Sequence, residues 1–225
     1  MQTRPIAIAM PHGGTLDRSS ARRVLRNTYA LLSMTLLFSA AVAGAAVAFS
    51  LPAPGLILTL VVYFGLLFGI HKLKNRGAAV GLVFALTGFM GWTLGPLLTR
   101  TLALPGGSQA VMLALGATGA VFLALSAYAT TTQRDLSWMG GFLFAGMIVA
   151  LLAGLAAIFF QIPALALTVS AVVALLSAGL ILYETKQIVD GGETNYVLAT
   201  VSLFVSIFNL FTSLLQLFGV MGSDD

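Results

Sequence analysis

A chain of 225 residues that is 59% hydrophobic and 8% charged, with a mean hydropathy of +1.01, cannot wet the surface of a soluble fold, where about 25% of residues are charged. Its formal charge of +4 sits at the ends of apolar runs rather than in one patch, which excludes a nucleic-acid-binding surface. With no cysteine and only His12 and His71, disulfides, thiolate metal sites, thiol nucleophiles and a histidine-built metal set are excluded too.

Residues 1–27 are polar. Pro5, Pro11 and Gly13-Gly14 interrupt any regular element, and arginines stand at 4, 18, 22, 23 and 26. This composition predicts a short tail, unstructured to about Asp17. The apolar run from Thr28 to Leu51 is longer than the roughly 7–15-residue core of a secretory signal. It therefore reads as a span, although AGAAVA at 43–48 resembles a cleavage region.

Apolar stretches follow at 28–50, 55–71, 78–98, 109–131, 139–160, 164–185 and 196–219. Each is close to the ~20 residues that cross ~30 Å of hydrocarbon, the second being the shortest. Pro52 and Pro54 break the first hairpin, Pro96 closes the third span, and Pro105-Gly106-Gly107 marks a loop. Pro163 opens the sixth span, where a first-turn proline loses no helical hydrogen bond. The reading is an all-α membrane protein: seven transmembrane helices over 28–219, a tail at 1–27 and a short end at 220–225. Loops of about a dozen residues or fewer are too short to hold a domain of their own.

Charge orients the bundle. With the N-terminus inside, Arg4, Arg18, Arg22, Arg23, Arg26, Lys72, Lys74, Arg76, Arg134 and Lys186 are cytoplasmic, and only Arg100 is external, as the positive-inside bias requires. Seven crossings then place Asp224 and Asp225 outside.

Polar residues inside the spans are few. Gly88, Gly91 and Gly95 in the third span, and Gly140, Gly141, Gly146 and Gly154 around the fifth, suit close helix packing. In the last span Ser202, Ser206, Asn209, Ser213 and Gln216 are spaced by 4, 3, 4 and 3, which aligns them on one helical face. Leu203, Phe204, Phe211 and Leu214 lie opposite. Lipid offers an amide no partner, so the stripe should face inward and the last helix should be central. Hydrogen bonds to neighbouring helices would satisfy such a stripe, as would a polar pathway.

The stretch from Tyr183 to Gly219 concentrates the remaining chemistry. Glu184, Asp190 and Glu193 cluster there with Lys186, and Gly191-Gly192 lets one helix stop and the chain reverse. Glu184 falls within a span, where acidic residues are paired or functional. It lies near a cytoplasmic end, where it can reach water or pair with Lys72 or Lys186. The expectation is a proton-sensitive latch joining the second, sixth and seventh spans. Catalysis is not expected: histidine stands only in the tail and at the edge of the second span, and no aspartate lies within a span to serve a protease or a metal hydrolase, and no cofactor is implied.

GGETNY at 191–196, followed by ATVSLFVSIFNLF at 199–211, resembles the Bax inhibitor-1 family of seven-span membrane proteins. VLRNTYALLSMTLLFSA at 24–40, LPAPGLILTLV at 51–61, GFMGWTLGPLL at 88–98 and IPALALTVSAV at 162–172 extend the resemblance over nearly the whole chain after the tail. The resemblance implies that family's bundle and two functions. Some bacterial members are pH-sensitive calcium leak channels latched by two aspartates, whose positions here hold Glu184 and Ser206. Serine does not ionise, so the shared-proton coupling of a carboxylate pair is absent. A proteobacterial member is instead a partner of FtsH, the membrane-anchored ATP-dependent protease, which it restrains as a poorly processed substrate. The resemblance thus implies FtsH and membrane lipid as partners, and calcium as the alternative. The residues it singles out are Glu184, Ser206, Asn209 and Lys72 as gating candidates, and Gly191, Gly192, Glu193, Thr194, Asn195 and Tyr196 as the signature turn.

Overall fold

Seven helices follow the seven apolar runs. The computed structural model describes residues 18–221, so the stretch expected to be unstructured up to Asp17, and Asp224 and Asp225, lie outside the described residues. The helices are α1 (Arg18–Ala48), α2 (Leu56–Leu73), α3 (Ala78–Leu102), α4 (Gly107–Thr131), α5 (Met139–Phe159), α6 (Pro163–Val189) and α7 (Tyr196–Met221). All seven are long and apolar enough to cross a membrane, and the described residues contain no strand.

Two boundaries differ from the sequence reading. α1 starts at Arg18, ten residues before the apolar run, because Val24 and Leu25 pack against the core while Arg22, Arg23 and Arg26 stay exposed. α3 runs through Pro96 to Leu102 instead of ending there. Gly95 precedes the proline, so no Cβ crowds the ring. Beyond it the Thr99 and Thr101 hydroxyls bond back one turn to Gly95 O and Leu97 O at 3.0 Å each, so their own polar groups are satisfied inside the span.

α7 is the centre of the bundle and packs against α6, α4, α1 and α3, whereas α2 leans on α3 and α5 on α6. Leu203, Phe204, Leu210 and Leu215 of α7 are almost fully enclosed. The face opposite the polar stripe is therefore more buried than the stripe, of which Ser202 and Gln216 are exposed. α1 and α3 approach most closely at Gly91, where a Cβ would collide with the Ser39 backbone. Gly140 and Gly146 of α5 instead make room for the Tyr183 and Leu176 side chains of α6.

Successive helices alternate in direction, and three contacts fix which loops share an end. Thr200 Oγ1 reaches Thr28 O (3.4 Å), Asn195 Nδ2 reaches Lys74 O (3.1 Å), and Lys186 Nζ reaches Thr132 O (2.8 Å). The start of α1, the α2–α3 and α4–α5 loops and the α6–α7 turn thus form one basic end. Arg100, in the last turn of α3, lies at the other.

Candidate functional site

The α6–α7 turn follows from its residue types. Asp190 ends α6, and Gly191 follows at φ 78°, a left-handed conformation that glycine adopts at little cost. Gly192 N–H donates to Gln187 O (2.8 Å) and Gly191 N–H to Ile188 O (3.2 Å), the bond pair of a Schellman cap. Glu193 Oε1 accepts from Asn195 N–H (2.7 Å). Asn195 then caps α7, its Oδ1 accepting from Val197 N–H (3.0 Å) and Leu198 N–H (3.2 Å). Its Nδ2 donates to Lys74 O and Asn75 Oδ1, both at 3.1 Å. Thr194 is exposed, and Tyr196 O accepts the Thr200 hydroxyl (2.7 Å).

One asparagine therefore starts the central helix and ties down the α2–α3 loop. Lys186 ties down the α4–α5 loop. Its buried Nζ donates to Thr132 O at 2.8 Å and pairs with Asp190 at 2.9 Å, the one ion pair among the described residues. In that loop, hydrogen bonds from Ser137 hold the exposed Asp135 carboxyl below the usual carboxylate range.

Glu184 and Ser206 meet. Ser206 Oγ donates to Glu184 Oε2 at 3.0 Å, joining α6 to α7 about 8 Å inside the end of α6, at ~1.5 Å per residue. A cavity of ≈ 350 Å³ reaches this point, lined by Tyr183, Glu184, Gln187, Glu193 and Ser202 with residues of α5. Two carboxylates thus face one space near the basic end. Neither expected lysine pairs with Glu184. Lys186 is two residues away on another face of the helix, and Lys72 is exposed with no ion pair among the described residues. No α2 residue lines the cavity, so the contact joins two helices and not the expected three.

Along α7, Ser206 and Ser213 are buried, Asn209 is half-buried, and Ser202 and Gln216 emerge at the two ends. The Asn209 amide makes no hydrogen bond among the described residues. Gln216 accepts a short hydrogen bond from Ser170 of α6. Ser170, Tyr183, Gln187 and Gln161 were not singled out from the sequence. Ser170 follows Ala166 by one turn and donates to its carbonyl (2.9 Å), so alone it reads as a self-satisfied helical serine. Chemically the arrangement can accept a proton or approach a cation at Glu184. Among the described residues no group of three or more His, Cys, Asp or Glu could hold a metal ion.

The family model described as Inhibitor of apoptosis-promoting Bax1 matches residues 21–223. The chain is 50% identical to the Modulator of FtsH protease YccA of Escherichia coli strain K12 over 91% of this chain and 93% of the relative. The Inner membrane protein YccA of Escherichia coli O6:H1 matches to the same extent. An uncharacterized protein of Pseudomonas aeruginosa is also 50% identical, over 90% of this chain and 91% of its own length.

Proposed function

The chain belongs to the Bax inhibitor-1 family, and from that premise we propose that it is an integral inner-membrane modulator of the protease FtsH. It acts as an inhibitor or as a slowly processed substrate. The observation that carries this reading is 50% identity, over nine-tenths of both chains, to a protein named as a modulator of that protease. The packing suits the role. α7 is enclosed by four helices, Asn195 ties its start to the α2–α3 loop, and Lys186 ties the end of α6 to the α4–α5 loop, which together resist extraction of single helices from the membrane. The basic end faces the cytoplasm, on the charge rule for short loops, and the C-terminus faces the periplasm. Residues 2–17 precede that end and are the segment this reading assigns to engagement by the protease.

Deleting residues 2–17 while keeping Arg18–Arg26 should slow turnover by FtsH. Unchanged turnover with unchanged insertion would remove the tail from the account.

The alternative is a pH-sensitive calcium or cation leak channel with Glu184 as the latch. The 3.0 Å contact from Ser206, beside a cavity shared with Glu193, favours it. Calcium flux into liposomes at pH 6 and pH 8 separates the readings. A pH-dependent flux altered by Glu184→Gln supports the channel. Flux that appears only in Ser206→Asp assigns conduction to relatives with two carboxylates.

A further inference from the structure

A second cavity, of ≈ 470 Å³, opens between α5, α6 and α7 near the end away from the basic residues. Its walls are largely apolar, formed by Ala157, Ile158, Ile162, Val169 and Val173, and its polar lining is Ser170 and Ser213, both buried, with Gln161 and Gln216, both exposed. Ser213 is 5% exposed, lines the cavity and makes no hydrogen bond among the described residues. Ser170, also 5% exposed, bonds Gln216, whose amide lines the same space. The Ser213 hydroxyl opens onto the cavity and is free to bond a group that enters it, in surroundings where lipid offers no such partner.

Gln161 stands in the cavity lining and adds an amide to it. Ile162 N–H bonds Ala157 O (3.0 Å) and Gln161 N–H bonds Ile158 O (3.4 Å), so α5 ends in a Schellman cap with Gln161 at φ 53°. Glycine is the low-cost residue there. The chain instead carries a long amide at the cavity mouth, just as α1 ends with Ser50 at φ 49° in the same kind of cap.

No Asp, Glu, Lys, Arg or His lines this cavity, in contrast to the one that holds Glu184 and Glu193. We propose that the cavity binds an uncharged amphiphile drawn from the bilayer. Ser213, Gln216 and Gln161 bond its carbonyl or hydroxyl head, and its apolar body lies along the walls. Its volume, and a lining that is mostly apolar with a few polar groups, match small-molecule sites, which span about 300–1,000 Å³. A neutral acylglycerol and a quinone both carry this chemistry. The inference does not rest on the protease reading.

The test uses the full-length protein in nanodiscs with a diazirine-bearing monooleoylglycerol as photoprobe. Labelling of peptides covering residues 154–173 and 213–216 should saturate and fall about five-fold or more with excess unlabelled monooleoylglycerol. Displacement by monooleoylglycerol alone assigns the site to acylglycerols, and displacement by decylubiquinone as well extends it to quinones. Gly154→Leu should abolish saturable labelling, since a Cβ there meets only Val169 Cγ1 at 3.7 Å and the longer side chain fills the cavity. Gln161→Gly keeps the turn and should weaken half-saturation about three-fold or more, as expected for one lost hydrogen bond. Labelling that does not saturate, or equal displacement by the anionic lysophosphatidylglycerol, would overturn the proposal. So would undiminished labelling of a Gly154→Leu protein that melts like the wild type.

Discussion

Replacing Asn195 with alanine removes an N-cap and a loop tether in one step. Loss of the two backbone bonds to Val197 and Leu198 costs about 1 kcal/mol for a cap. Loss of the bonds to Lys74 O and Asn75 adds about 1 kcal/mol, less than two full bonds because the loop is partly exposed and water replaces some of each. The total of about 2 kcal/mol corresponds to a fall of about 4–8 °C in melting temperature for a chain of this size. Melting in detergent and trypsin cleavage at Lys74 and Arg76 read the two parts separately. Asn195→Asp keeps the capping oxygens and gains charge at a helix start, but it cannot donate to Lys74 O. It should melt closer to wild type, yet be cleaved as fast as the alanine variant. If Asn195→Ala melts within about 1 °C of wild type, or if its α2–α3 loop resists trypsin as before, the tether argument is wrong.

Gly91→Leu should destabilise by about 1–3 kcal/mol or prevent insertion, because the new side chain meets the Ser39 backbone and the close α1–α3 crossing must open. Gly116→Ala on α4, where a Cβ meets nothing within 4 Å, should be neutral or stabilising by up to about 1 kcal/mol in the same melt. Lys186→Met should cost about 1–3 kcal/mol, chiefly through the lost charged bond to Thr132 O. Asp190→Asn should cost much less, since that carboxylate is half exposed and water screens the pair. Gln161→Gly should raise stability by about 1 kcal/mol by relieving the left-handed backbone at φ 53°; a lower melting temperature would mean that the side chain, not the backbone, dominates.

The spans were legible because the length and apolarity of a crossing helix are local properties. Errors arose where a local sign met a compensation. Pro96 reads as a helix end, but α3 continues to Leu102 past it, with Gly95 before the ring. Arg18–Arg26 reads as a polar lead-in, but Val24 and Leu25 among those arginines find the core. The central place of α7 was legible in its stripe, but only Ser206 and Ser213 of the stripe turn fully inward, while Ser202 and Gln216 are exposed. What the stripe would touch was not predictable, since Ser206 and Glu184 are joined across a turn and Gln216 is bonded by a serine 46 residues away. The Glu184–Ser206 pair came from family resemblance rather than from the residue pattern. Lys186 looked like a partner for Glu184, while its bond to Thr132, 54 residues off, depends on how α4 packs beside α6. The cavity around Ser213 left no trace in the sequence, because glutamine at 161 carries no sign of a left-handed turn.

The central claim is that the chain restrains FtsH, and the most direct measurement is the rate at which purified FtsH degrades an unrelated membrane substrate in proteoliposomes, with and without the full-length chain. The account predicts a dose-dependent slowing as the chain occupies the protease, with the chain itself consumed more slowly than the reporter. A reporter rate that does not change at any ratio of correctly inserted chain to protease would contradict it.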